Sequence, residues 1–425
     1  MWEPLTAWST VANVPATALT AAPKTSTTFL SALCVNVAAV VPVFLFGGLA
    51  VQISGELGMS IGAIGLTSGL YFAVSALTTI PAGALVERFG AVATSRAAVL
   101  NVVVALLAVA GFAHDTTTLI VLLLLAAPAN GLGQLSSNSI LSDWAPLRRK
   151  GLMFGAKQAS VPLCTMLSGL AVPVIALTLG WRWGFVAGAV LALMAIIPLH
   201  GLGRIETPPK QGKGRAFDRG LLLFAAATCL GASAATPLGS YLTTYAVQMG
   251  TSESFAGLNL TIGGLAGVIA RTGFGGLGDL RQGKAGGEFG IIVGMLIGGM
   301  AGIVAIMAGV PWLLMVGTAA AFSLGWAWPG LMNFAVTKRY PHAPAAATSI
   351  TQTGVFAGGT IGPIAFGLIV EHSGWTAGWS VVICCMAAAI GFLLTGVRAT
   401  AKSAADSSAG SAVNSAAGSS VNAAS

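Results

Sequence analysis

Charged side chains are scarce in this chain. Lys and Arg number 20 and Asp and Glu 12 in 425 residues, or 8%, where a soluble domain carries about 25%. So little charge cannot cover a water-exposed surface of this length, which excludes an ordinary cytosolic enzyme. Hydrophobic residues make up 55% of the chain, which excludes a disordered one. Reactive clusters are lacking too. The five cysteines, Cys34, Cys164, Cys229, Cys384 and Cys385, lie inside apolar runs with no CxxC pair, and read as small buried hydrophobes. His114, His200, His342 and His372 sit at the ends of such runs and form no H-E-x-x-H pair. No hydrolytic or metal constellation is present, so the chain reads as a non-enzyme without a cofactor or metal. The net charge of +8 is spread thinly between long apolar runs, which makes the cations topology signals rather than a nucleic-acid footprint.

What is abundant is continuous hydrophobicity. A helix needs about 20 apolar residues to cross a bilayer. Twelve runs qualify: 29–53, 60–82, 93–112, 117–141, 151–178, 183–203, 219–248, 254–274, 286–309, 311–334, 345–370 and 375–397. They do not alternate, which excludes a strand barrel. Residues 1–28 hold no short apolar core with a cleavage site, so the first span is expected to direct insertion itself. With the N-terminus in the cytoplasm, the cations at Arg88, Arg96, Arg148–Lys150, Arg204–Arg219, Arg281, Lys284, Lys338, Arg339 and Arg398 fall inside. Arg182 alone falls outside, among Glu56, Asp115, Glu253 and Glu371. The positive-inside rule therefore predicts a multi-pass protein of the cell (inner or plasma) membrane with both termini cytoplasmic.

The chain divides in the middle. The expected units are a cytoplasmic N-terminal tail (1–28), a six-helix bundle (29–203), a cytoplasmic linker (204–218), a second six-helix bundle (219–397) and a disordered Ala/Ser-rich tail (398–425). The bundles share landmarks at a near-constant offset. Gly180-Trp181 and Gly374-Trp375 differ by 194, as do Gln158 and Gln352, and Asn138 and Asn333 differ by 195. Such a spacing argues for a duplicated six-helix unit.

The loop after span two reads Gly83-Ala-Leu85-Val-Glu87-Arg88-Phe-Gly90, and its repeat after span eight reads Gly275-Gly-Leu277-Gly-Asp279-Leu-Arg281, with Arg271 just before it. These loops resemble the G-x-L-x-D-R-x-G motif of the major facilitator superfamily (MFS) of transporters. The resemblance covers about residues 29–397. It implies an all-α membrane fold of two pseudo-symmetric six-helix bundles and a cavity lined by spans one, four, seven and ten. It also implies a cytoplasmic gate in which Gly83, Glu87, Arg88, Gly90, Arg271, Gly275, Asp279 and Arg281 take part. Glu87 stands where the motif has Asp, and Ala91-Val92 replaces the usual basic pair. The bland alternative for the loop charges is a set of solvated side chains. Gly278 to Lys284 matches a phosphate-loop spacing, but Ala285 follows where a hydroxyl is needed and no strand precedes it, so no ATP partner is expected.

Polar residues inside the spans mark the candidate site. Asn130, Gln134 and Asn138 recur every four residues in span four and share one helical face. Span five carries Lys157 and Gln158, and Gln352 is the pseudo-equivalent of Gln158. A lysine in mid-helix costs about 2.5–3.5 kcal/mol on insertion scales. It either reaches a cavity and attracts an anion or snorkels to the interface. Tyr241 and Tyr245 in span seven are cavity walls or an interfacial belt. Trp328 and Asn333 flank an expected kink at Pro329-Gly330 in span ten. Arg271 reads as a gate residue ahead of a substrate contact. No Asp or Glu lies well inside a span, which disfavours both a cation exporter and a carrier coupled to protons through its own carboxylate, and leaves an anion carrier whose substrate brings its own proton or a uniporter. The expectation is a secondary transporter, monomeric in the bilayer, for a small organic anion such as a monocarboxylate. An exporter of apolar compounds and a non-transporting receptor are the alternatives.

Overall fold

The computed structural model describes residues 25–144, 150–202, 218–280, 287–341 and 343–422. The N-terminal tail and the linker therefore lie almost wholly outside the described residues. Span one is α1 (Thr25–Gly48) continued by α2 (Ala50–Leu57), followed by α3 (Ile61–Phe89), α4 (Ala91–Phe112) and α5 (Thr116–Trp144). Span five is broken into α6 (Lys150–Gln158), α7 (Ser160–Ala171), a π-helical turn (Val172–Ala176) and α8 (Leu177–Leu179). Span six is α9 (Trp181–Met194) and α10 (Ile196–Leu199). The second bundle holds α11 (Arg219–Gln248), α12 (Glu253–Leu280) and α13 (Glu288–Met307). Span ten is α14 (Pro311–Ala320), a π-helical turn (Ala321–Gly325) and α15 (Trp328–Arg339). The last element, α16, runs from Pro344 to Asn422 and contains both remaining spans, separated where Gly374 takes φ 79° and ψ 171°.

Every apolar run is thus helical, because a lipid-embedded backbone must satisfy its own hydrogen bonds. Helix starts are set locally: Ser60 Oγ accepts from the Ala63 amide at 3.2 Å, and Asp218 accepts from the Leu221 amide at 2.7 Å. Large apolar side chains face outward, including Ile80 at 80% exposure and Leu77 at 67%, as a lipid-facing surface requires.

The duplication is visible in three dimensions. Gly180 and Gly374 both take positive φ, 97° and 79°, a conformation that favours glycine. Each is followed by a tryptophan whose indole donates to the end of the first helix of its bundle: Trp181 to Glu56 at 2.7 Å, Trp375 to Gln248 at 2.6 Å.

Two departures from the sequence expectation have simple causes. The break in span ten lies one turn before Pro329, in the π turn and at Trp326–Ala327. Proline clashes with the carbonyl four residues earlier, here that of Gly325, so the distortion falls upstream of the ring. The tail, expected to be disordered, continues the last helix to Asn422. Its alanine content carries high intrinsic helix propensity.

Glu56, Asp115, Glu253 and Glu371 mark one end of the molecule, here the acidic end; Arg88, Lys338 and Arg398 mark the basic end. The two bundles meet tightly at the acidic end. Ser240 bonds Ser68 at 3.1 Å, Thr243 the Gly47 carbonyl at 3.2 Å, and Tyr241 the Ile61 carbonyl at 3.2 Å. Gln52 bonds Glu253 at 2.7 Å, and the Gly62 amide donates to Glu371 at 3.0 Å. Glycine makes this approach feasible: a Cβ on Gly47 would strike the Gly239 carbonyl, and one on Gly65 the Pro363 carbonyl.

Within the second bundle Gly358 packs directly on the Cys229 carbonyl, whereas Gly391 has open space around it. Gly358→Leu is expected to cost about 1–3 kcal/mol by overpacking and to lower the melting temperature in detergent, with Gly391→Leu as a near-silent control. At the acidic end, Arg182 bonds Glu56 at 2.5 Å and holds its carboxyl below the usual range. A depressed folded value stabilises above the ordinary carboxylate pKa and is lost as pH falls through the depressed one. The melting-temperature gap between wild type and Glu56→Gln should therefore be present at pH 7 and close below about pH 4.

Candidate functional site

The centre of the site is the break between α6 and α7. Pro162 has no N–H to give the carbonyl four residues back, so the Gln158 carbonyl is released from the helix. Lys157 occupies the last turn of α6 and is fully buried. Its Nζ donates to Gln134 Oε1 at 3.0 Å and to Asn138 Oδ1 at 2.7 Å, both on α5. Lys157 therefore does not snorkel; it reaches the polar face that the four-residue spacing in span four forecasts. Gln134 and Asn138 are half-buried. Asn36 on α1 pins the break from the other side, donating to Ser160 Oγ and to the Lys157 carbonyl at 3.5 Å.

Among the described side chains none gives the Lys157 ammonium a carboxylate partner. Among the described residues the ion pairs are Arg182–Glu56 and Lys338–Glu288, both at the ends of the bundles. Burying an unpaired charge costs several kcal/mol, and two amide oxygens offset only part of that.

A second buried cation lies beside it. Arg271 on α12 is 5% exposed. Its Nη1 donates to the released Gln158 carbonyl at 2.7 Å, while Nε and Nη2 donate to the Trp326 carbonyl at 3.2 and 2.7 Å. Its guanidinium carbon lies 5.9 Å from the Trp326 ring centroid. Trp326 sits in the break of span ten, outside regular helix, which leaves its carbonyl available. Arg271 thus ties span five of the first bundle to spans eight and ten of the second. Gly155 and Gly275 bring α6 and α12 into backbone contact just beyond it.

The remaining sequence candidates are dispersed. Asn130 is buried and donates to Ser75 Oγ at 3.2 Å. Gln352 and Asn333 are half-buried on α16 and α15. Trp328 lines a small apolar cavity inside the second bundle with Gly231 and Met332, and its indole nitrogen has no protein partner. Tyr241 and Tyr245 are buried near the acidic end, not in a belt. The Tyr241 hydroxyl shares its one proton between the Pro363 carbonyl at 3.0 Å and the Ile61 carbonyl at 3.2 Å, that of Tyr245 donates to the Ile306 carbonyl at 3.1 Å, and both rings pack on Trp375. Both hydroxyls are thus already committed to backbone.

Of the loop residues, Gly83 has open space on its Cβ side, and Gly90 forms the turn before α4 with φ 82°. Glu87 and Arg88 are exposed, and Arg88 lies 5.3 Å from the Phe89 ring centroid. The Asp279 side chain and Arg281 lie outside the described residues, as does most of the phosphate-loop look-alike.

The sequence reading missed the Trp326 carbonyl and the polar pair Thr228–Thr351. Thr228 donates to the Thr351 carbonyl at 2.9 Å. Asn36 and Lys157 are the counterparts at offsets of 192 and 194, so the duplication could have found this pair. Where the first bundle has Lys157, the second has an uncharged threonine.

Two helical bundles around a central, buried, charged polar site are the architecture of a solute transporter. The sequence profile of the Major Facilitator Superfamily matches residues 27–285, more than half of the chain. The chain belongs to that superfamily of membrane transporters. Among curated proteins none matches it. Of solved structures, a bacterial homologue of the human lysosomal transporter Spinster, in an inward-facing and occupied conformation, superposes with a TM-score of 0.63. The identity is 17%, covering 88% of this chain and 96% of that one. A D-xylose–proton symporter superposes with a TM-score of 0.69 at 16% identity, covering 88% and 97%. At these identities the likeness concerns the fold.

The bridge made by Arg271 needs a fork of donors that lysine lacks. Arg271→Lys is expected to leave the fold intact but raise hydrogen exchange across Lys150–Gln158. The expected loss is about 1.5–3 kcal/mol per charged hydrogen bond removed, read as a lower melting temperature.

Proposed function

We propose that this protein is a secondary transporter of small organic monoanions that works by alternating access. The observation that carries the reading is Lys157, wholly buried between Gln134 and Asn138 of α5 and without a carboxylate partner among the described residues. A site that keeps a cation uncompensated is built for a ligand that brings the negative charge. Arg271 adds positive potential next to it, but three of its donors are already bound to carbonyls. One free cation suits one carboxylate. Gln134, Asn138 and Gln158 would hydrogen-bond the rest of a small polar substrate, with Gln352 and Asn333 on the opposite bundle.

The two bundles would rock about this site. Hydrogen bonds between the bundles seal the acidic end, whereas Gly83 at the basic end has open space on its Cβ side. With the cations on the cytoplasmic side, as the positive-inside rule expects, that is an inward-facing arrangement.

Flux of radiolabelled lactate, pyruvate and acetate into liposomes bearing the purified protein tests the proposal. Saturable uptake is expected, reduced about a hundredfold or more in Lys157→Gln, since removal of a buried charge partner costs about 3 kcal/mol or more. Uptake of a neutral sugar such as xylose, with Lys157→Gln as active as wild type, would sink the anion reading in favour of a polyol carrier.

A further inference from the structure

Resting on the anion reading, we infer that Lys157 is the coupling group of the carrier: the site loads one monoanion together with one proton and returns empty with the lysine as a neutral amine.

The inference comes from matching donors to acceptors. A neutral amine has two N–H groups and an ammonium three. The protein gives Nζ two acceptors, Gln134 Oε1 and Asn138 Oδ1, at 3.0 and 2.7 Å. That set satisfies the amine in full and leaves the ammonium one acceptor short and uncompensated at zero exposure. A carboxylate oxygen supplies both the missing acceptor and the missing charge. The empty site therefore favours the amine, and the loaded site favours the ammonium–carboxylate pair, which is neutral overall.

Other groups near the site do not compete for this role. From α12 comes Arg271, which stays protonated and is spent on carbonyls. Glu253 lies at the acidic end of the same helix, bonded to Gln52. From α1 and α7 come the thiols of Cys34 and Cys164, and from α15 Lys338 and Arg339 at its far end, with Lys338 paired to Glu288. No titratable side chain of α5 is among the described ones.

The cycle balances simply. On the loading side the amine lone pair takes a proton from water and the anion accepts the third N–H. No bond of the substrate is broken. On the other side the anion leaves, the proton returns to water, and the amine keeps its two amide acceptors. One negative charge and one proton cross together, so transport is electroneutral. A lysine that stayed charged through the cycle would instead move net negative charge and follow the membrane potential.

The test uses the full-length protein in liposomes with radiolabelled lactate, pyruvate and acetate as probes. One arm imposes a pH gradient with the potential clamped at zero; the other imposes a potential without a pH gradient. Accumulation is expected to approach about tenfold per unit of pH gradient, the equivalent of one proton per anion, and to ignore the potential. Lys157→Arg keeps the charge but cannot release the proton. It should lose the accumulation driven by the pH gradient. Accumulation that follows the potential and ignores the pH gradient overturns the inference and leaves the anion reading standing. So does Lys157→Arg accumulating like wild type. No flux of any of the three anions overturns both.

Discussion

The carbonyl of Gln158 has lost its helical partner because Pro162 cannot donate, and the centre of the molecule is organised around that one released acceptor. In a bilayer such a group must be satisfied from elsewhere. Arg271 does so from the other bundle, at 2.7 Å, and gains a low-dielectric position for a charge that would otherwise be expelled. The same break ends α6 directly after Lys157, fixes the direction of that side chain toward α5, and lets Asn36 hold the turn through Ser160. A single missing N–H thus sets the bridge between the bundles and the geometry of the candidate binding group.

Duplication supplies the frame and its violation supplies the chemistry. The glycine–tryptophan anchors repeat closely: both indoles grip the end of their bundle's first helix, one through a carboxylate and one through an amide. The contact of the first helix with the fifth also repeats, with Asn36 and Lys157 in one bundle and Thr228 and Thr351 in the other. There the chemistry diverges. The threonine pair is buried and has no ionisable group, while its counterpart holds a lysine Nζ between two amide oxygens. A symmetric pair of lysines would place two ammonium groups near one cavity, which repel and would demand a doubly charged ligand. On the function proposed above, that asymmetry suits the site to a monoanion.

Much of this was legible in the sequence. The helical character of the apolar runs is, because the requirement for internally bonded backbone makes hydropathy a nearly direct readout of helix. The polar face of span four is, because its four-residue spacing leaves one face for Asn130, Gln134 and Asn138. The direction of Lys157 was not. Six residues from the start of its span it can reach either the interface or the interior, and only the packing of α5 against α6 decides. Tyr241 and Tyr245 were ambiguous for a related reason. Their spacing says that they share a face but not that this face meets Trp375 and carbonyls near the acidic end. The role of the Trp326 carbonyl escaped notice because backbone acceptors leave no residue-type signature unless a nearby proline is followed to what it distorts.

The distribution of inter-bundle bonds bears on how such a molecule can have two states. Five bonds seal the acidic end, two of them on carboxylates and three between neutral groups. At about 0.5–1.5 kcal/mol for a neutral bond and 1.5–3 for a charged one, opening that end forfeits several kcal/mol. A carrier needs its two states within a few kcal/mol of each other, so the other end has to return a similar amount on closing. Among the described residues, candidates for that return are Gly83, with open space on its Cβ side, and the exposed Glu87, a carboxylate suited to the positive end of a neighbouring helix. Gly155 and Gly275 already touch on the opposite side, held by Arg271, so that contact can serve as the pivot while the two ends trade places. The longer reach of Glu87 compared with aspartate and the missing basic pair after Gly90 would then tune how much the closing end returns.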